Sequence, residues 1–445
     1  MLNTLIQQET SPVHTSEAIF NHMDERFLHY VWRFQQFDAD NLSSTQDESV
    51  AIFHPGFLNE HSGPDFSEAR VKIGAMEWAG QVEIHLRSSD WLRHGHQADA
   101  AYGNVILHVV YEHDKNIQNK DGSTIPTLEL KQRIHPDQFR TYYYLQHRHT
   151  DIACESQLST VPNITVASMV DRMVMERMEQ KAQVVTTGLK TNQNDWEQAS
   201  FRLLCKALGM KTNADPFDAF ASAMPLNKLA KQNPFQKEAM IFGLAGFLDE
   251  VPADPYQASL QKEFTHLAKK WGISSRLSRH HWKYARLRPG NFPTIRLAQL
   301  SGILSQETHL FGRFVAAKNL QEVKNLLFAP ISDYWTQHYD FAKTSKRPIS
   351  HLGETTLASI IINTIAPLLI AYSHAIDDRH LAEKAISWLE MIKPENNNIT
   401  RSWQALGIDN GNALQSQGLL QLYKAYCSRK RCLHCSIGNK ILAQS

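Results

Sequence analysis

Asp65, Glu83 and His85 are the residues whose types and spacing best suit them to carry a reaction. Asp65 follows Pro64 at the entry to one strand, and Glu83-Ile84-His85 lies in the next, eighteen positions on. Two apart on a strand, Glu83 and His85 share a face, so both can reach one ion. A hard Mg²⁺ or Mn²⁺ takes carboxylate oxygens plus waters. Bound there, it polarises a phosphoryl oxygen and supplies hydroxide at a workable pH. Asp65 and Glu83 are therefore expected to hold the metal. His85, with a reference pKa of about 6.5, is expected to position or deprotonate the attacking water. Glu68 is the competing carboxylate. Matching the apolar faces pairs Val71 with Gly80 and Ala69 with Val82, which sets Glu68 opposite Glu83 and Asp65 on the wrong parity. A bulge near Pro64–Phe66 would restore Asp65, the residue favoured here.

Three further groups carry donor chemistry. Asp90, His94, His96 and Asp99 crowd the turn after Glu83-x-His85, and His94-Gly95-His96 could set two imidazoles on zinc or another transition metal, or orient a substrate phosphate. Cys427, Cys432 and Cys435 sit in a basic C-terminal stretch at C-x4-C-x2-C spacing, suited to Zn²⁺ or an Fe–S cluster, with His434, Cys154 or Cys205 available as a fourth ligand. Arg288 and Arg296 flank a proline-stiffened turn opening a helix, where they could meet phosphates.

The elements that must position these groups follow from hydrophobic periodicity. Helical spacing of Phe27, Tyr30, Val31 and Phe34 predicts a helix over 24–36. Val50–Phe53 reads as a strand. Ala69, Val71 and Ile73 alternate with Arg70 and Lys72 as a half-buried strand, Gly74–Glu77 turns, and Trp78–Leu86 returns. Ser88-Ser89-Asp90 reads as a helix cap. Val105–Tyr111 is a continuous apolar run fit for a central strand, and Pro126 marks 124–130 as an edge strand. Beyond about residue 160 the period becomes helical, from Val166 to Ala425. This predicts a loose extension at 1–22, an α/β domain at 23–150 and a large, mostly α-helical domain at 160–445 ending in the cysteines.

Bulk numbers set bounds. The 445 residues exceed one ordinary core, and 42% apolar with 20% charged residues is ordinary for a globular protein. A net charge of +1 confines any nucleic-acid surface to a local patch. No basic start or apolar run marks residues 1–22 as a signal peptide. The apolar window Leu357–Ala371, interrupted by Asn363 and Pro367, reads as a buried helix rather than a membrane span. A cytoplasmic protein with no membrane partner is expected.

The order helix, strand, strand, strand, helix, strand, with Pro64-Asp65 and Glu83-x-His85, resembles the core of the PD-(D/E)XK nuclease superfamily, with His85 standing where that superfamily has lysine. The resemblance implies a restriction-endonuclease-like mixed sheet flanked by helices, and a Mg- or Mn-dependent nuclease or phosphodiesterase acting on DNA or RNA. Some nucleases of that kind are also stapled by three C-terminal cysteines and one distant one. The alternatives are a catalytically inactive nuclease-like scaffold that binds nucleic acid or protein, and a metallohydrolase built on His85, His94, His96 and Asp99. His29-Tyr-Val-Trp32, Gly63-Pro-Asp-Phe66, Val82-Glu-Ile-His85, Ser88-Ser-Asp-Trp91, Val105–Val110 and Arg288-Pro-Gly-Asn-Phe-Pro293 together resemble the bacterial domain-of-unknown-function 2851 family.

Overall fold

The computed structural model describes residues 22–120, 122–191, 194–273, 277–349 and 351–445, so the extension expected at 1–22 lies, His22 apart, outside them. The described residues form two compact units, one of residues 22–170 with 422–445 and the other within 171–421.

The first unit is an α/β unit. Asp24 caps helix α1 (Glu25–Arg33), its carboxylate accepting the Phe27 N–H at 3.0 Å. A six-stranded sheet follows, built from β1 (Val50–His54), β2 (Phe57–Leu58), β3 (Phe66–Ile73), β4 (Met76–Arg87), β5 (Val105–Glu112) and β6 (Thr127–Glu129). Its order is β1-β3-β4-β5-β6, with β2 also on β3. The β1–β3 and β3–β4 pairs are antiparallel, whereas β4–β5 and β5–β6 are parallel. The parallel crossover from β4 to β5 carries the short helix α2 (Asp90–Arg93) and two 3₁₀ turns. Helix α3 (Pro136–His147) comes after the sheet; its signal, a proline at the first helical position, was open to sequence reading.

Phe27, Leu28, Val31 and Trp32 of α1 bury against Phe66, Ala69 and Val71 of β3, Val82 and Ile84 of β4, and Leu107 and Val109 of β5. Each Val, Leu, Ile or Phe among them contributes about 1.5–3 kcal/mol by leaving water. Since Val82 and Ile84 fill this core, Glu83 and His85 must face the other side of β4, toward the crossover.

The second unit is helical around its own apolar core, in which Phe217, Phe242, Ile295, Trp335, Ile361 and Leu368 are wholly or almost wholly buried. The stretch expected as a buried helix runs from Glu354 to Ile376, long and apolar enough to cross a bilayer, yet 67% of its apolar window is buried inside the unit. Pro367 has no N–H for the carbonyl one turn earlier, and a π-turn at Ile361–Ile365 precedes it. Lys181 donates to the Ile362 carbonyl at 3.4 Å and to Asn363 Oδ1 at 2.9 Å.

The C-terminal residues 422–445 group with the α/β unit rather than the helical one. Leu433 and Leu442 join the core of the sheet, and Tyr30 donates to the Asn439 carbonyl at 3.2 Å.

Candidate functional site

The β3–β4 register lies two residues from the one expected. Val71 pairs with Trp78 and Ala69 with Gly80, because the turn is the two-residue Gly74-Ala75 rather than four residues. A bulge between Phe66 and Ala69 places one extra residue in β3, and Glu68 absorbs it in a left-handed conformation (φ +57°). The bulge corrects the parity. Glu68 is exposed and takes no part in the site, while Asp65 reaches it. The Asp65 N–H donates to Glu83 Oε2 at 3.1 Å, and Asp65 Oδ2 accepts the Ile84 N–H at 2.9 Å. This pair of bonds replaces the ladder where the bulge breaks it.

Glu83 turns its other oxygen toward histidines. Oε1 lies 3.2 Å from His96 Nε2 and 3.5 Å from His85 Nε2. His85 Nε2 is 3.1 Å from His94 Nδ1, and His85 Nδ1 is 2.8 Å from Nε2 of His108 on β5. Among the described residues, His85, His94 and His96 are the group whose ligand atoms all fall within 4.8 Å of one another. Gly95 (φ +78°) makes this possible, since the left-handed turn between His94 and His96 brings both rings back to one point. Trp91 packs edge-on to His85, His96 and His108, and Tyr102 stacks on His96 at 3.8 Å between ring centres.

Two residues passed over in the sequence complete the cluster. Glu25 and His29 lie one turn apart on α1, and His29 Nε2 is 3.2 Å from Asp65 Oδ2. Their i, i+4 spacing on a helix whose apolar face is otherwise complete was the available signal. Burial, opposed by His94 and His29 and reinforced by Asp65, raises the Glu25 carboxyl above the usual range.

Burial dominates the electrostatics. It pushes Glu83 up to about 9, with Asp65 adding repulsion. It pushes His85 down to about 2 and His108 to about 3, helped by neighbouring imidazoles, so both are neutral donors or acceptors at pH 7. Three imidazoles and a carboxylate are the donor set of a borderline divalent ion such as Zn²⁺, Mn²⁺ or Fe²⁺, rather than the all-oxygen set Mg²⁺ prefers.

The remaining expected residues stand apart. Asp90 is buried as a local brace, accepting the Arg87 N–H at 3.0 Å and pairing with Arg93 at 3.1 Å. The cap expected from Ser88 and Ser89 is absent, because both serines bond Asp114 instead. Asp99 is exposed, caps the 3₁₀ turn through the Ala101 N–H at 2.9 Å, and is not one of the group whose ligand atoms converge. Arg288 and Arg296 belong to the helical unit. Arg296 is 3% exposed and committed to Asn291 (2.7 Å), Gln299 (3.0 Å) and Thr356 (3.2 Å), which corrects its expected role with phosphate; Arg288 is exposed, and its carbonyl accepts the Asn291 N–H. Cys427, Cys432 and Cys435 gather in the α/β unit around one small cavity, together with Cys154.

No curated protein and no solved structure matches this chain. A family model described as "Protein of unknown function (DUF2851)" matches residues 25–398, and the chain belongs to that family.

Proposed function

We propose that this protein is a metal-dependent phosphodiester hydrolase acting on nucleic acid, with its ion held between Glu83 and the histidines of the β4–β5 crossover. The observation that carries the reading is the approach of His85 Nε2 and His96 Nε2 to the same oxygen of Glu83, while the Asp65 backbone holds the other oxygen. Further support comes from the element order, a helix, four antiparallel strands of which β2 is a two-residue arm on β3, a short helix and a parallel strand, with an Asp at the head of β3 and Glu-x-His on β4. Apart from that arm, the order is the one the PD-(D/E)XK resemblance implies.

Glu83, His85 and His96 would hold the ion, with His94 closing the trio on its exposed side. His108 orients His85 through the 2.8 Å contact between its Nε2 and His85 Nδ1; in the tautomer with the proton on His85 Nδ1, His85 Nε2 is the ligand atom. When bound, the ion would supply Lewis-acid polarisation of a phosphoryl oxygen and lower the pKa of a water. His29 stands beside Asp65 as a base with its orienting carboxylate, able to take a proton while Asp65 stabilises the imidazolium. The imidazole donors favour Mn²⁺ over Mg²⁺ in the pair expected from sequence, and admit Zn²⁺.

The test is cleavage of single- and double-stranded DNA and RNA with Mn²⁺, Zn²⁺ or Mg²⁺. Turnover with Mn²⁺ or Zn²⁺ that vanishes in Glu83→Gln and His85→Ala supports the reading. Turnover retained by either variant refutes it.

A further inference from the structure

The C-terminal segment shows a second constellation, separate from the histidine site. Cys154 lies in the turn after α3, and Cys427, Cys432 and Cys435 lie more than 270 residues later, yet all four line one cavity of about 20 Å³ in the α/β unit. The sulfurs lie within electrostatic range of one another: Cys154 senses Cys435 and Cys432, and Cys427 senses Cys435, Cys154 and Cys432. The other two candidates for fourth ligand do not line this cavity: His434 is not on its wall, and Cys205 is fully buried in the core of the helical unit.

The backbone is shaped to present these sulfurs. Cys427 opens the 3₁₀ turn Cys427–Arg429, and Lys430 (φ +52°) reverses the chain behind it. Cys432 opens a second 3₁₀ turn, Cys432–His434, and the Cys435 N–H donates to the Cys432 carbonyl at 3.1 Å. Cys435 then leads into the last helix, Ser436–Leu442. That helix approaches so closely that a Cβ on Gly438 would stand 2.2 Å from the Cys432 carbonyl oxygen, which only glycine permits. The segment is tied down beside Cys154, with Gln146 donating to the Lys430 carbonyl at 2.9 Å and Lys430 Nζ donating to the Arg148 carbonyl.

We propose that Cys154, Cys427, Cys432 and Cys435 are the four thiolate ligands of one metal centre, a single Zn²⁺ or an iron–sulfur cluster, that clasps the C-terminal segment onto the α/β unit. Four cysteines complete the ligand set of either centre. Four thiolates leave both centres net negative, and Arg431 at the cavity wall and Lys430 beside Cys427 offset that charge. Binding deprotonates the thiols and releases their protons to solvent, with no change in sulfur oxidation state.

The experiment is metal analysis and X-ray absorption on the full chain purified without oxygen or added metal. Expected is either about one zinc with sulfur neighbours at roughly 2.3 Å, or iron with acid-labile sulfide at about four each per chain and broad sulfur-to-iron absorption. The first outcome assigns zinc and the second a cluster. Cys154→Ser and Cys435→Ser should lose that metal, whereas His94→Ala should keep it. Should the serine variants fail to fold, the sulfur shell of the wild-type metal decides alone. The proposal is overturned by a wild-type chain whose metals have only nitrogen and oxygen neighbours, by metal fully retained in Cys154→Ser, or by a disulfide among the four cysteines.

Discussion

At pH 7 the buried Glu83 carboxyl, pushed up to about 9, carries a proton in the ion-free protein and must release it to bind a cation. Expelling a proton at a pH two below the group's pKa costs about 3 kcal/mol, roughly a hundredfold in apparent affinity. The affinity for Mn²⁺ or Zn²⁺ should therefore rise about tenfold per pH unit from 7 towards 9 and then level off. Calorimetry at pH 7 in buffers of different ionisation enthalpy should find about one proton released per ion bound. Glu83→Gln keeps the shape and removes the proton, so it should bind weakly, with no release and a flat profile over the same range. Measurements are best made with Cys435→Ser as a parallel control, so that thiol protons are not counted. Ion binding to the histidine site with no proton release and no pH slope would refute this role for Glu83.

Four further outcomes follow from the same geometry. His108→Ala should weaken ion binding roughly ten- to a hundredfold without abolishing the fold, because His85 loses the partner that fixes its ring; ion titration monitored by NMR of the imidazoles checks this. Ion-free wild type should lose thermal stability as pH rises from 5 towards 9. Glu83 is raised above its unfolded value, so the folded state holds more protons across that window, and Glu83→Gln should flatten the slope. Glu68→Gly should stabilise the protein by about 0.5–1 kcal/mol in urea titrations, relieving the left-handed bulge position, and leave ion binding unchanged. Arg296→Met should cost about 3 kcal/mol by removing the donors to Asn291, Gln299 and Thr356, yet leave the salt dependence of any nucleic-acid binding unaltered.

The sheet was largely legible because its strands alternate. Ala69, Val71 and Ile73 bury as their spacing demands, and Val105–Val110 is buried throughout. Alternation names a face but not a partner, so the β3–β4 register was missed by two residues, a shift that preserves parity. The bulge was recognised as necessary, but its position depends on Glu68 accepting a left-handed backbone, a conformation its side chain does not announce. The site was legible on the strands and much less so elsewhere. Glu25 and His29 were hidden inside a helix read for its apolar stripe, and spacing alone could not tell that Asp99 caps a turn beside the converging histidines. Cys154 and Cys205 were indistinguishable as fourth ligands because only the tertiary fold separates one unit from the other.

The central claim is that one cation lies between Glu83 and the His85–His94–His96 trio. The most direct test is anomalous diffraction from crystals grown with Mn²⁺ or Zn²⁺. The predicted result is a peak about 2.0–2.2 Å from Glu83 Oε1, His85 Nε2 and His96 Nε2. Crystals in which the ion avoids these atoms, or in which Glu83 and His85 turn apart, would contradict it.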